Sequence, residues 1–504
     1  MASPQTPYDL LIIGGGINGA GIARDAAGRG LSVLLIEKDD LAAATSSWSS
    51  KLIHGGLRYL EQYEFRLVAE ALSEREVLLK IAPHLVAPLR FVMPHVPELR
   101  PRWMIRAGLY LYDHLGRHTS LPGSRSVDLR TTAYGSGLRP TLTKGFVYSD
   151  CRVDDARLVV ANALSARELG AGICTRTECV FAKRIDAGWQ VRLRTARDGE
   201  RTITARAIVN AAGPWVKEVL NDRLNQPSRD NVKLVKGSHI VVPSLYDGDH
   251  AYILQNDDRR VVFMIPYEGQ YTLLGTTDVA LGSIPETPGA TADEIDYLCR
   301  AANRYLARPV APSDAVWTYA GVRPLYDDGT ADPSAVSRDY TLRLDADGGV
   351  APVLSVFGGK ITTYRRLAEQ ALDQLAPWFP GRRAAWTATT PLAGGDLPVK
   401  GLGPFADIQM QRDFPWMPEK LRRGLARRHG TNAYRILENA KCLSDLGSYF
   451  GSDLYAREVD YMIEREWAQS GDDILYRRTK AGLHLTLPER SAVAQHVAAR
   501  LARR

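Results

Sequence analysis

Residues 8–37 constrain this chain more than any other stretch. "YDLLIIG" is an apolar run that reads as a buried strand, and "GGINGAGIARDAAGRG" follows as a helix of small residues ended by Gly28 or Gly30. "LSVLLIEKDD" reads as a second buried strand. Two parallel strands joined by a helix need a sheet covered on both faces, which makes the chain α/β. Gly14, Gly16 and Gly19 form G-x-G-x-x-G at the first strand–helix junction. The first glycine permits the tight turn, the second lets backbone approach a pyrophosphate, and the third lets helix and strand pack closely. The helix N-terminus offers free N–H groups and partial positive charge to an anion. Glu37 ends the second strand, where a carboxylate accepts hydrogen bonds from ribose hydroxyls.

The fingerprint alone suits either NAD or FAD. FAD is favoured because the unit sits at the start of the chain, no second such motif follows, and "LSVFGGKITTYRRLAEQAL" supplies a late strand–glycine–helix junction. A helix end there would stabilise negative charge on the pyrimidine edge of a reduced flavin by about 0.3–2 kcal/mol.

The rest of the 504 residues bounds the reading. At 45% hydrophobic and 24% charged the composition is that of a globular protein of two or three domains. A net charge of +7 is mild, and no dense Lys/Arg tract with interleaved aromatics marks a nucleic-acid partner. Five scattered cysteines form no metal-ligand spacing and suggest a reducing compartment. The N-terminus lacks the basic region of a secretory signal, and no run is long and apolar enough to cross a bilayer. The pattern predicts helices over "YEFRLVAEALSEREVLLKIAPH", "VDDARLVVANALSARELGA" and 291–309, a β-rich stretch over 233–277, and a linker at 389–398. From this we expect an oxidoreductase region over 1–388, its substrate domain inserted at about 83–150 and 233–315, and a C-terminal helical domain over 389–504.

The stretch "IIGGGINGAGIARDAAGRGLSVLLIEKDDLAAATSSWSSKLIHGGLRYLE" resembles the FAD-dependent glycerol-3-phosphate dehydrogenases, the membrane-associated respiratory type of bacteria. So do "VDDARLV", "NAAGPW", "KGSHIVVP", "GTTDV", "GVRPL", "SRDYTL" and "FGGKITTYR", in that order over nearly the whole chain. The resemblance implies a Rossmann-like FAD domain with a β-rich cap, of the D-amino-acid-oxidase-like class, plus the helical domain. It also implies non-covalent FAD, oxidation of sn-glycerol 3-phosphate to dihydroxyacetone phosphate, electrons passed to a membrane quinone, a homodimer, and a peripheral place on the cytoplasmic face of the inner membrane.

It places Arg323, Arg338 and Arg58 at the substrate pocket and Lys360 at the late junction. A phosphate needs planar, multidentate cations, and each charge-assisted hydrogen bond is worth about 1.5–3 kcal/mol. Oxidising C2 requires loss of the hydroxyl proton, so a base is needed. The candidates are His239, then His54, then a neutral Lys360, with Arg58 and Tyr59 orienting the oxygen and Thr276 and Thr277 offering hydroxyls. For the cofactor we expect Thr45, Ser46, Ser47, Ser50, Lys51, His54, Gly55, Gly56, Ala212, Gly213, Gly358, Gly359, Ile361 and Thr362 beside the fingerprint, with Gly55 and Gly56 bringing backbone flush against the flavin. Trp48 is bulky for a serine-rich loop near a flavin. For membrane attachment the candidate is 99–120, with Ile105, Leu109 and Tyr112 on one face, Trp103 at the interface, and Arg100, Arg102, Arg106 and Arg117 toward anionic lipid; the alternative, which we favour slightly, is a buried helix of the substrate domain. Two rivals stand: an amine or amino-acid oxidase of the same architecture, and an FAD-dependent RNA-modifying protein.

Overall fold

The computed structural model describes residues 7–116, 119–197, 199–227, 230–258, 260–327, 339–346 and 349–503. Strand β1 (Tyr8–Ile13), helix α1 (Ile17–Gly28) and strand β2 (Val33–Ile36) form the expected unit. β1 lies between β2 and the strand Gly199–Asn210, both parallel to it, and Gly172–Cys174 extends the sheet beyond β2. On the other side Val353–Phe357 pairs in parallel with Gly199–Asn210, and Thr341–Asp345 closes that edge antiparallel. All of Leu10–Ile13 and Val33–Ile36 are buried. α1 is rich in small residues because other elements press on it: a Cβ on Gly21 would stand 2.6 Å from the Tyr364 ring. The helix stops at Gly28, and Gly30 takes a positive φ of 91°.

A second sheet of ten strands forms the cap. Near one edge Val232–Pro243 pairs along its length with Trp317–Tyr326 and also meets Tyr271–Gly275. Val86–Pro94 and Lys144–Val153 pair antiparallel and join the same sheet through Ala251–Gln255. The predicted helices appear as Phe65–Ile81, Asp155–Glu168 and Ala292–Asn303. The second carries an Asp154 cap that accepts from Arg157 N, and the third a capping box between Thr291 and Glu294.

Residues 389–398, expected as a linker, are a packed segment. Leu392 is buried and its N–H donates to Ile81 O at 2.8 Å, Arg24 donates to Thr390 O at 2.7 Å, and Gly394 O accepts from Thr431 N at 3.1 Å. The Gly/Pro composition marks where the chain changes direction, but both neighbours bury the turn. Beyond it lie the helices Glu419–His429, Ala456–Arg465 and Leu487–Ala502 and one small hairpin. The arginines here are held mostly by carboxylates: Arg428 binds Asp453 and Glu458, and Arg427 binds Glu268 of the cap, while Glu466 holds Arg157 of the helix Asp155–Glu168. Burial pushes the Glu458 carboxyl up, but Arg428 and His429 overcome it and hold the group down at about 2.

Candidate active site

The G-x-G-x-x-G turn opens into a cavity of about 420 Å³. Gly14, Gly16, Glu37, Thr45, Ser46, Ala212, Gly213, Gly358 and Gly359 all line it, as the sequence led us to expect. Gly14 has φ of 114°, and a Cβ there would overlap the Ala211 carbonyl oxygen. A Cβ on Gly19 would overlap the Gly14 carbonyl oxygen, so this glycine serves the packing of helix on strand. Glu37 accepts from Gly15 N at 2.7 Å and from Asp39 N at 2.8 Å. Burial raises its carboxyl pKa, and the two backbone donors offset only part of that rise. Ser46 Oγ accepts from Ile17 N at 3.0 Å at the start of α1, and Thr45 Oγ1 donates to Val322 O at 2.6 Å, tying the cavity floor to the cap.

These residues fit a bound dinucleotide. Gly14 and Gly359 keep the cradle open where side chains would fill it, and the buried Asn18 Oδ1, in the cavity wall, lacks a hydrogen-bond partner. Asn18 Nδ2 donates to Gly358 O at 3.2 Å, so it fastens the late glycine pair to the fingerprint helix. Spacing did not single out Asn18, because it occupies a variable position inside the motif.

A second group of side chains gathers at the seam between this cavity and the cap. His239 lies opposite Tyr319 in the strand pair, and the rings stack at 4.8 Å. Its Nε2 is 2.9 Å from Ser50 Oγ, and its buried Nδ1 has no hydrogen-bond partner. Burial, then the nearby Arg323 and Lys51 charges, push its pKa well below the ordinary histidine value. Arg323 is opposite Val235, pairs with Asp278, and donates to Thr276 Oγ1 at 3.1 Å. A Cβ on Gly237 would overlap its guanidinium. Lys360 Nζ sits 4.0 Å over the Tyr59 ring, and Thr362 Oγ1 accepts from His54 N at 3.3 Å, so the late junction and the "LIHGGLRYL" loop meet. Ile361 lies in the turn between those two residues, half-buried against the sheet core. Tyr319 belongs to this group through its cross-strand pairing with His239, and Asp278 through its ion pair with Arg323, neither of which local spacing reveals.

Several expected contacts go elsewhere. Lys51 turns inward: its Nζ binds Asp155 at 2.8 Å and Ser47 O at 2.6 Å, and burial pushes its pKa down. Ser47 is likewise buried, with its hydroxyl on Ala44 O. Gly55 is required by the protein's own packing, since a Cβ would stand 2.6 Å from both Leu72 and the Tyr112 hydroxyl. Gly56 has φ of 76°, and the Tyr59 ring covers it. Thr277 is buried and donates to Glu294 Oε1 at 2.8 Å. Trp48 packs on Trp317 and Tyr319, within the cap aromatics. Arg58 lines a separate apolar cavity of about 410 Å³ beside the helix Arg102–Leu115. On that helix Ile105, Leu109 and Tyr112 are core residues, because they face the cap sheet. The exposed side is Trp103, Met104, Tyr110 and Leu111. Arg100 binds Glu61 at 2.7 Å and Arg106 holds Ser124 at 2.7 Å. Arg338 and Arg117 lie outside the described residues.

Residues 9–365 match the model of the FAD dependent oxidoreductase family, and 385–504 match that of the C-terminal domain of alpha-glycerophosphate oxidase. A glycerol-3-phosphate dehydrogenase of Pseudomonas aeruginosa is 52% identical over 98% of this chain and 96% of its own. A D-erythritol 1-phosphate dehydrogenase of Brucella abortus is 53% identical over 98% of each. The crystal structure of the glycerol-3-phosphate dehydrogenase from Bacillus halodurans, complexed with FAD, superposes with a TM-score of 0.75 at 26% identity, covering 99% of this chain and 95% of that one. With its glycine cradle, its cap and its C-terminal domain, the chain belongs to the FAD-dependent oxidoreductases, in the branch of the glycerol-3-phosphate dehydrogenases.

Proposed function

We propose that this enzyme oxidises sn-glycerol 3-phosphate to dihydroxyacetone phosphate, with a membrane quinone as the terminal electron acceptor. What supports the reading is two neighbouring groups: His239 and Arg323 on paired strands of the cap, and Lys360 over the Tyr59 ring, next in sequence to the cavity residues Gly358 and Gly359. Bound FAD supplies the two-electron acceptor for the hydrogen on C2. Glu37 and the α1 N-terminus hold the adenosine and pyrophosphate end. Arg323, kept in place by Asp278 and Thr276, is the planar cation we assign to the substrate phosphate. His239, neutral because it is buried, is in the form that takes the C2 hydroxyl proton. Lys360 and Tyr59 close over the substrate oxygen.

The relatives divide between a three-carbon and a four-carbon phosphorylated polyol, so D-erythritol 1-phosphate is the second reading. Anaerobic mixing of the oxidised protein with sn-glycerol 3-phosphate, D-erythritol 1-phosphate, sarcosine or D-amino acids separates these. The expected outcome is bleaching of the flavin absorbance by glycerol 3-phosphate; bleaching by an amine alone would end the proposal.

For the acceptor side, what supports a bilayer is the exposed apolar group Tyr63, Phe65, Trp103, Met104 and Leu111, which borders the second cavity. Among the described residues no helix is long and apolar enough to cross a membrane, so the attachment we propose is peripheral. The apolar cavity behind that group, with Arg58 in its wall, suits a quinone ring. Trp103→Ser with Met104→Ser is expected to reduce flotation with liposomes and to leave reduction of a water-soluble dye intact. Unchanged flotation would move the contact to another face.

A further inference from the structure

The wall of the dinucleotide cavity beyond Glu37 is the segment 38–43, which has no regular secondary structure; Lys38, Asp39, Ala42 and Ala43 line the cavity. Within the segment and toward the fingerprint turn, Ala42 N donates to Gly15 O and Ala43 N to Asp40 O, both at 3.1 Å. Asp40 points away from the cavity and is fully buried. Its carboxylate accepts from Arg478 at 2.7 and 2.8 Å and from Arg477 at 2.7 Å, across more than four hundred residues of sequence. Both arginines belong to the wide helical turn Asp473–Arg478 of the C-terminal domain. The same turn reaches the segment a second time: Asp473 binds the Arg176 guanidinium at 3.0 Å, and Arg176 N donates to Asp39 O at 2.9 Å. Asp39 N in turn donates to Glu37 Oε1, so the pull on the segment passes to the carboxylate beside the cavity.

We propose that the turn Asp473–Arg478 is a clamp on the nucleotide end of the cofactor site, with Asp40, Arg477 and Arg478 as positioning residues that set how tightly FAD is retained. The proposal rests on FAD occupying this cavity. A buried carboxylate held by two arginines is rigid in one geometry, and removing one partner leaves the other charge buried and uncompensated. The loop backbone then loses its fixed path, and Glu37 loses its orientation with it. Because coupling between sites is reciprocal, bound FAD also stabilises the docking of the C-terminal domain.

The test uses the full chain stripped of flavin and titrated with FAD and with FMN, followed by flavin fluorescence. FMN lacks the adenosine half and cannot reach the clamped wall. Asp40→Asn is expected to raise the FAD Kd at least about tenfold while the FMN Kd stays within about twofold. Asp40→Asn leaves buried arginines poorly compensated and can prevent folding, so Arg477→Met, at a less buried position, is the second variant, with an expected rise of about threefold. Glu268→Gln is the control: it breaks the Arg427 contact to the cap and lowers the melting temperature without touching the segment. Unchanged FAD affinity in Asp40→Asn and Arg477→Met overturns the clamp, as does equal weakening of FAD and FMN, or equal weakening by Glu268→Gln. Failure of the unsubstituted chain to bind FAD would instead remove the cofactor assignment beneath it.

Discussion

The cofactor cavity and the substrate corner are built by opposite means. The cavity begins with backbone: Gly14 and Gly19 stand where a Cβ would overlap a carbonyl oxygen, and most of its first wall is contained in thirty-odd consecutive residues. The proposed substrate corner is all side chain: His239 from a cap strand, Arg323 from the neighbouring strand, Lys360 from the late junction and Tyr59 from the segment near the start. Backbone cradles fail through steric overlap, which is large and close to all-or-none. Side-chain corners fail one hydrogen bond or one proton transfer at a time.

That contrast orders the expected effects. Gly19→Val, whose Cβ overlaps the Gly14 carbonyl oxygen, should abolish flavin retention; purified protein that is still yellow would break the account of the cradle. His239→Gln should retain flavin and lower kcat by about 10²–10⁴-fold, the usual range for loss of a positioned base. Because burial holds the ring neutral, the wild-type kcat profile should show no loss of activity from His239 protonation around its ordinary value near 6.5. A profile that falls there would transfer the role to another group. Arg323→Ala should lower kcat/KM by about tenfold to a hundredfold, the loss of one charged hydrogen bond, with flavin content unchanged.

The smallest expected effect concerns stability and lies outside both regions. His84 is buried and pushed down to about 3 by burial and by the Arg157 and His429 charges, and burial lowers His250 to about 4. The unfolded chain takes up protons at these rings below about pH 6.5 and the folded chain does not, so stability falls as pH drops through that value. For His84 the slope is about 1.4 kcal/mol per pH unit until its folded value is reached. Urea midpoints at pH 7.5 and pH 5 should therefore differ less for His84→Gln than for the unsubstituted chain; an equal difference would show that His84 is protonated in the fold.

The same contrast explains what could be read in advance. A glycine turn, a helix of small residues and a carboxylate at a strand end are local features, so the β1–α1–β2 unit and most of the cavity wall were legible in sequence. Lys51 and Gly55 sit in equally suggestive motifs, yet one serves a buried ion pair with Asp155 and the other the contact with Leu72 and Tyr112. Nothing in the local pattern separates a lysine aimed at a phosphate from one aimed at a carboxylate a hundred residues away. Amphipathic periodicity marked the helix at 102–115 correctly, but Ile105, Leu109 and Tyr112 went to the core and the outer face fell to Trp103, Met104 and Leu111.

Sequence by itself determined the nucleotide fingerprint and the covered parallel sheet, because short-range sterics and strand–helix periodicity act within a few residues; the branch of flavoproteins came from the resemblance of its ordered motifs. Tertiary structure alone decided the partners: Tyr319 beneath His239, Asp278 on Arg323, and the C-terminal arginines on Asp40. Those pairings depend on strand register and domain docking, where a charge can be satisfied by any opposite charge the fold brings near, and only the assembled chain selects which.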